Sequence, residues 1–219
     1  MSIGVKVCGL SSKETLDTAV ACGALFVGFV FYQRSPRVVT AAQAHKLAYQ
    51  LPPEVQSVGL FVDPDDATIG RTLEQAPMRV LQLHGDETPE RCNAIRQQFQ
   101  RPVMKAIRVS NSADVEAAKR YVDVVDWLLF DAKAVSADPQ QAVLPGGNGV
   151  SFDWTILAGR RWPIPWMLAG GLNAANIREA VEVTGANFVD VSSGVETGPG
   201  IKSNAMIRDF LDAARQLRA

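Results

Sequence analysis

The sequence predicts a (β/α)8 barrel on three observations. Eight short runs of apolar, β-branched or aromatic residues alternate with eight segments of helical period. The alternation continues to the C-terminus without a break in composition, which makes residues 1–219 a single domain. The 219 residues are fewer than the roughly 250 usual for this architecture but within its range, which reaches down to about 200. A doubly wound open sheet is the alternative. It would carry a phosphate-binding glycine turn after its first strand, where this chain has Cys8-Gly9-Leu10.

The first unit sets a strand at 4–8, with Val5 and Val7 alternating, before a helix at 12–22 opened by Ser11 or Ser12. In the second, the nearly unbroken apolar run 25–31 precedes a helix at 41–50 behind Thr40. The third joins 56–62 to 65–75 with Asp63 as the capping residue, and the fourth joins 79–84 to 89–99 through Thr88-Pro89. The fifth joins 102–107 to 111–121. After the sixth strand, 126–131, about twenty residues (132–151) with Pro139, Pro145 and Gly146-Gly147-Asn148-Gly149 precede a short helix at 153–159. Connections beyond about 12 to 15 residues are more often lids than structural links, so this one is read as a mobile flap beside the site. The seventh unit joins 165–169 to 174–184 behind Asn173, and the eighth joins 187–192 to 204–217.

Composition narrows the function. Twenty-two Lys and Arg against 23 Asp and Glu give a formal charge of -1, with no global attraction for nucleic acid or an acidic membrane. An anionic ligand must therefore be held locally. Three cysteines without a CxxC pair, and an N-terminus without a signal-peptide pattern, indicate a reduced, cytoplasmic protein. The most apolar stretch, 19–32, contains Gly23 and Gly28 and falls short of the roughly 18 residues of a membrane span.

Sorting each strand by parity puts polar groups where a barrel should be apolar. Val5 and Val7 facing the helices turn Lys6 and Cys8 inward; Leu81 and Leu83 leave Gln82 and His84 inside. Asp131, Asp190 and Ser192 stand at inward strand ends, and Lys105 is a further charge inside a strand. Unpaired buried charges cost several kcal/mol or more, so these groups either pair with one another or serve a site. For Lys6 and Lys105 both readings stand. Cys8, His84, Asp131, Asp190 and Ser192 lie at C-terminal strand ends, where active sites of this fold gather, and for Cys8 and Asp131 the functional reading is preferred.

Glycines point to phosphate. Gly170-Gly171 closes the seventh strand and Ser192-Ser193-Gly194 the eighth, where barrels hold a phosphate on backbone N–H groups. Gly147, in the long connection, is a further candidate. Arg37, behind Pro36, is either part of a solvated loop or a two-pronged holder of a carboxylate. His45 and His84 do not form a ligand-spaced pair, which disfavours a metal site and with it a pentose-phosphate epimerase. A catalytically silent metabolite-binding barrel is the rival outside the enzymes.

Seven blocks then carry a family resemblance. They are Lys6-Val7-Cys8-Gly9-Leu10, Gly28-Phe29-Val30-Phe31-Tyr32 followed by Ser35-Pro36-Arg37, Val58-Gly59-Leu60-Phe61-Val62, Leu81-Gln82-Leu83-His84-Gly85, Phe152-Asp153-Trp154, Leu168-Ala169-Gly170-Gly171-Leu172 and Val189-Asp190-Val191-Ser192-Ser193-Gly194-Val195-Glu196. In this order they resemble the phosphoribosylanthranilate isomerases of tryptophan biosynthesis over nearly the whole chain. The resemblance implies a (β/α)8 barrel that performs an Amadori rearrangement of a phosphorylated small molecule without metal or cofactor, as a monomer or homodimer. It implies Cys8 as general base, Asp131 as general acid, and Arg37 as the residue holding the anthranilate carboxylate. His84 and Asp190 would contact substrate, and Gly147, Gly170, Gly171, Ser193 and Gly194 its phosphate. Ser11-Ser12, Asn148 and Ser203 depart from the usual pattern of that family.

Overall fold

The computed structural model describes residues 3–133, 146, 147, 149 and 151–217. Eight parallel strands close a barrel in chain order: β1 (Gly4–Cys8), β2 (Phe26–Val30), β3 (Gln56–Phe61), β4 (Val80–Leu83), β5 (Val103–Val109), β6 (Trp127–Ala132), β7 (Trp166–Leu168) and β8 (Phe188–Val191). The helices around it are α1 (Lys13–Ala21), α2 (Ala41–Ala48), α3 (Asp66–Gln75), α4 (Pro89–Phe99), α5 (Ser112–Ala117), α6 (Ile177–Thr184) and α7 (Asn204–Arg215). Between β8 and α7 lies an antiparallel hairpin, β9 (Glu196–Gly198) and β10 (Ile201–Lys202).

Helix starts follow side-chain chemistry. Ser12 accepts from the Thr15 N–H, Thr40 forms a reciprocal capping box with Gln43, and Thr88 accepts from Arg91 N–H with Pro89 in the first turn. Two starts differ from the sequence reading. Asp65, not Asp63, caps α3; Asp63 sits at φ 45 and its carboxylate instead accepts from Asp86 N–H at 2.7 Å, tying two turns at the barrel mouth together. Asn173 closes a turn of its own by accepting from Ala175 and Asn176 N–H, so α6 begins only at Ile177.

The helix expected at 153–159 is a single 3-10 turn, Trp154–Leu157. Large side chains fill the thin layer there: Trp162 and Trp166 pack on Phe130 with ring centroids 5.1 and 5.7 Å apart. The segment expected at 111–121 likewise divides, into α5 and a 3-10 turn at Ala118–Tyr121. Most of the long connection read as a flap lies outside the described residues.

The barrel interior is packed by Phe26, Val58, Val80, Met104, Ala106, Leu129, Met167 and Ala169, while Val5, Val7, Leu81, Leu83, Leu128 and Phe130 join the helix-facing core. That confirms the parity of β1, β4 and β6 and corrects it for β5. Met104 and Ala106 fill the interior, so Lys105 is not inside the barrel. Its Nζ lies 2.7 Å from Glu87 Oε2 and donates to the Gly85 carbonyl at 2.7 Å. The reason is that 102–107 is apolar at both parities, so alternation could not tell its two faces apart. Lys6 is inside and fully buried, its Nζ 2.9 Å from Asp190 Oδ1 across the β1–β8 register that pairs the two residues.

Candidate active site

Cys8 ends β1 with its thiol against β2, where Gly28 is its register partner; a Cβ at Gly28 would stand 2.9 Å from Cys8 Sγ. Absence of a side chain there is what makes room for the sulfur. Val30 and Leu60 pack beside Cys8, with Tyr32 and Val62 continuing an apolar wall along the ends of β2 and β3. Gln82 and His84 rise from β4. The Gln82 side-chain amide nitrogen stands 3.2 Å from His84 Nδ1, which leaves His84 Nε2 facing Asp131. That Nε2 is 3.2 Å from Asp131 Oδ2, close but not aligned as a hydrogen bond, and it has no aligned partner among the described residues. Asp131 Oδ1 accepts from Ala132 N–H at 2.9 Å, which orients the carboxyl at the end of β6.

Arg37 has the two-pronged geometry the sequence suggested, but toward a protein partner. Its Nε and Nη2 meet Glu196 Oε1 and Oε2 at 2.8 Å each, and Nη2 also donates to the Gly147 carbonyl at 3.0 Å. Arg37 is therefore buried at the mouth rather than part of a solvated loop. Among the described residues its Nη1 carries no hydrogen bond.

Cys8, Arg37, His84, Asp131, Gly147, Gly170, Gly171, Asp190 and Ser193 all line one cavity with the Val30, Tyr32, Leu60 and Val62 wall. Gly194 does not. A Cβ there would stand 1.8 Å from the Leu172 carbonyl oxygen, so this glycine lets the turn after β8 seat on the turn after β7. Among the described residues the N–H groups of Gly170, Gly171, Ser193 and Gly194 make no backbone hydrogen bond outside the regular elements. In a closed barrel of eight, β3 stands opposite β7, so the β3 part of the apolar wall faces the N–H groups of the turn after β7 across the mouth.

Electrostatics set the resting protonation. Burial, the largest influence, pushes the Cys8 thiol up; Lys6 pulls it down and Asp190 pushes it up again. Burial also works against the Lys6 charge, but Asp190 and Cys8 outweigh it and Lys6 is raised. Lys6, the cation nearest in chain to the thiol, is thus already paired with Asp190. Burial opposes the Glu196 charge too, yet the bonds from Arg37 and Lys202 hold its carboxyl below the usual range.

Glu196 and Lys202 are the polar residues that sequence reasoning did not single out. Both lie on the β9–β10 hairpin, whose two- and three-residue strands are too short to show a period. Ser12 and Ser203, two of the departures from family pattern, cap α1 and α7, and Asn148 lies outside the described residues. Among the described residues no three His, Cys, Asp or Glu side chains converge as a metal-ligand set, and no helix is long and apolar enough to cross a membrane.

A closed parallel barrel that gathers a thiol, a carboxyl beside an imidazole, and an arginine at the C-terminal ends of its strands has the form of a (β/α)8 enzyme. The model of the N-(5'phosphoribosyl)anthranilate (PRA) isomerase family matches residues 5–213, and the chain belongs to that family. It is 54% identical over 215 residues to the N-(5'-phosphoribosyl)anthranilate isomerase of Paramagnetospirillum magneticum, covering 98% of each chain. The phosphoribosyl anthranilate isomerase of Thermotoga maritima superposes with a TM-score of 0.86 at 36% identity, covering 98% of this chain and 100% of that one. A further isomerase structure, in complex with reduced 1-(o-carboxyphenylamino)-1-deoxyribulose 5-phosphate, superposes at 0.82 with 34% identity and the same coverage.

Proposed function

We propose that Cys8 is the general base and Asp131 the general acid of this chain's reaction, the isomerisation of N-(5'-phosphoribosyl)anthranilate in tryptophan biosynthesis. The observation that carries the proposal is that both groups line one cavity from different strands, one beside an apolar wall and one opposite it across the barrel. Asp131 protonates the furanose ring oxygen, and the ring opens to an iminium. Cys8 then removes the C2 proton, and the resulting enamine settles as the 1-deoxyribulose product in an Amadori rearrangement. Proton transfer by a positioned side chain contributes typically about 10² to 10⁴ in rate. The imidazole of His84, beside the Asp131 carboxyl, contacts the opening sugar, and Asp190 supports the sugar from β8.

Each end of the substrate has a matching surface. The anthranilate ring lies on Val30, Tyr32, Leu60 and Val62 with its carboxylate toward Arg37. The phosphate goes across the mouth to the N–H groups of Gly170, Gly171 and Ser193, with Gly194 shaping that turn, whereas Gly147, expected from the sequence at the phosphate, accepts from Arg37 and so belongs to the carboxylate end. The resting thiol becomes a base only as positive charge develops on the substrate, because burial otherwise keeps it protonated. Neither metal nor cofactor takes part. The free Cys8, Cys22 and Cys92 thiols fit a reducing cytoplasm. The chain acts as a monomer or homodimer; a Thermotoga maritima relative is described as dimeric and as yielding monomers. The direct test is the decay of substrate fluorescence when pure protein is added to phosphoribosylanthranilate. No decay above the uncatalysed rate would defeat the proposal.

A further inference from the structure

Arg37 reaches the mouth already paired. Glu196 takes its Nε and Nη2 at 2.8 Å each, so a substrate carboxylate arriving at this guanidinium meets a second carboxylate on the same group. An arginine and a glutamate in contact carry no net charge, and two carboxylates a few ångströms apart repel. Lys202 changes the sum. Its Nζ lies 2.6 Å from Glu196 Oε1, the oxygen that Arg37 Nε also meets, and it donates to Ser192 O at 2.9 Å and Ser192 Oγ at 3.2 Å.

An ammonium has three N–H groups, and all three of these are directed at protein atoms. The Lys202 side chain is 1% exposed and does not line the cavity, so it does not touch the substrate. Arg37, Glu196 and Lys202 together carry one positive charge, the complement of one carboxylate. The hairpin brings them together: Lys202 pairs in register with Glu196, and Gly200 at the tip seats so closely on the Pro36 carbonyl that a Cβ would stand 2.4 Å from it.

Resting on the assignment of Arg37 to the substrate carboxylate, we infer that Lys202 is a positioning residue for substrate selection. It takes up the charge of Glu196 and leaves that of Arg37 for the substrate. The β9–β10 hairpin is then the element that selects an aromatic amine bearing a carboxylate over one without it.

The test compares KM for phosphoribosylanthranilate with KM for the phosphoribosyl derivative of aniline, which lacks the carboxylate, in four proteins: wild type, Arg37→Ala, Lys202→Met and Glu196→Gln with Lys202→Met. Lys202→Met is expected to raise KM for the anthranilate substrate by about tenfold or more, with KM for the aniline substrate within about twofold; any change in kcat, since Lys202 also pulls the Cys8 thiol down, is shared by both substrates. The double variant restores one net positive charge and is expected to return KM to within about threefold of wild type. A lysine that only supported the fold would alter KM for the two substrates alike, so the contrast between them separates the two roles. Equal increases for both substrates in Lys202→Met, or a double variant no better than the single, would overturn the inference. Arg37→Ala separates the two levels. If it too fails to discriminate between substrates, the carboxylate assignment itself is wrong; if it discriminates and Lys202→Met does not, only the inference about Lys202 fails. Should Lys202→Met not fold, the double variant still decides, since a KM about tenfold above wild type in a folded double variant contradicts the charge sum.

Discussion

At Cys8 the barrel acts on one thiol in two directions. Burial raises it and Asp190 adds to the rise, while Lys6, 2.9 Å from Asp190, recovers only part. A thiol with a raised pKa is neutral and unreactive below that value and a nucleophile above it. Alkylation of Cys8 by iodoacetamide in the ligand-free enzyme is therefore expected to be slow at neutral pH and to keep rising beyond about 8.5, the ordinary thiol value. The experiment is cleanest in Cys22→Ser, because Cys22 is half-buried and competes, whereas burial pushes the Cys92 thiol up to about 12. Peptide mass spectrometry reads it; fast, pH-independent labelling of Cys8 near neutrality would mean a resting thiolate. The residue type was legible in the sequence from the parity of β1, but the balance of Lys6 against Asp190 was not. It depends on a pairing 184 residues apart.

Elements whose two faces differ in polarity were readable, and those whose faces match were not. Val5, Lys6, Val7 and Cys8 alternate, so β1 declared its interior side; Val103, Met104, Ala106 and Ile107 do not, so Lys105 was placed on the wrong face. In its actual place Lys105 is part of a buried fastening. Glu87 accepts from Asp63 N–H at 2.9 Å and from Gly85 N–H at 3.1 and 3.0 Å, and Lys105 neutralises it, which holds the turn that follows His84. Removing one partner of a buried pair strands the other, so Lys105→Met is expected to cost about 3 to 5 kcal/mol in urea unfolding. A loss under about 1 kcal/mol would show that Glu87 finds water or another cation there. The β9–β10 hairpin escaped notice for a different reason: its strands are shorter than any period, and its two charges acquire meaning only through Arg37, 159 residues before Glu196.

For the whole molecule, chain order decides the site. Because the strands close in sequence order, those four apart stand opposite, so the apolar end of β3 faces the open N–H groups after β7, with those after β8 beside them. A molecule with an aromatic ring at one end and a phosphate at the other spans that mouth. Crystals grown in sulfate are expected to hold an anion on the N–H groups of Gly170, Gly171 and Ser193. An anion that instead settled on Arg37 would reverse the two substrate ends. This arrangement was legible because eight alternating units leave little choice of topology and because strand ends carry the polar residues. The layer outside β6 was not, since tryptophans replace a helix there. Acid and base on separate strands of one mouth are tested most directly by kcat for Cys8→Ser and Asp131→Asn, followed by substrate fluorescence where chemistry limits the rate. Each is expected to fall by roughly 10² to 10⁴ with a smaller change in KM, because the interaction lost belongs to the transition state. A kcat near wild type in either variant would contradict that assignment and move the proton transfer to His84 or Asp190.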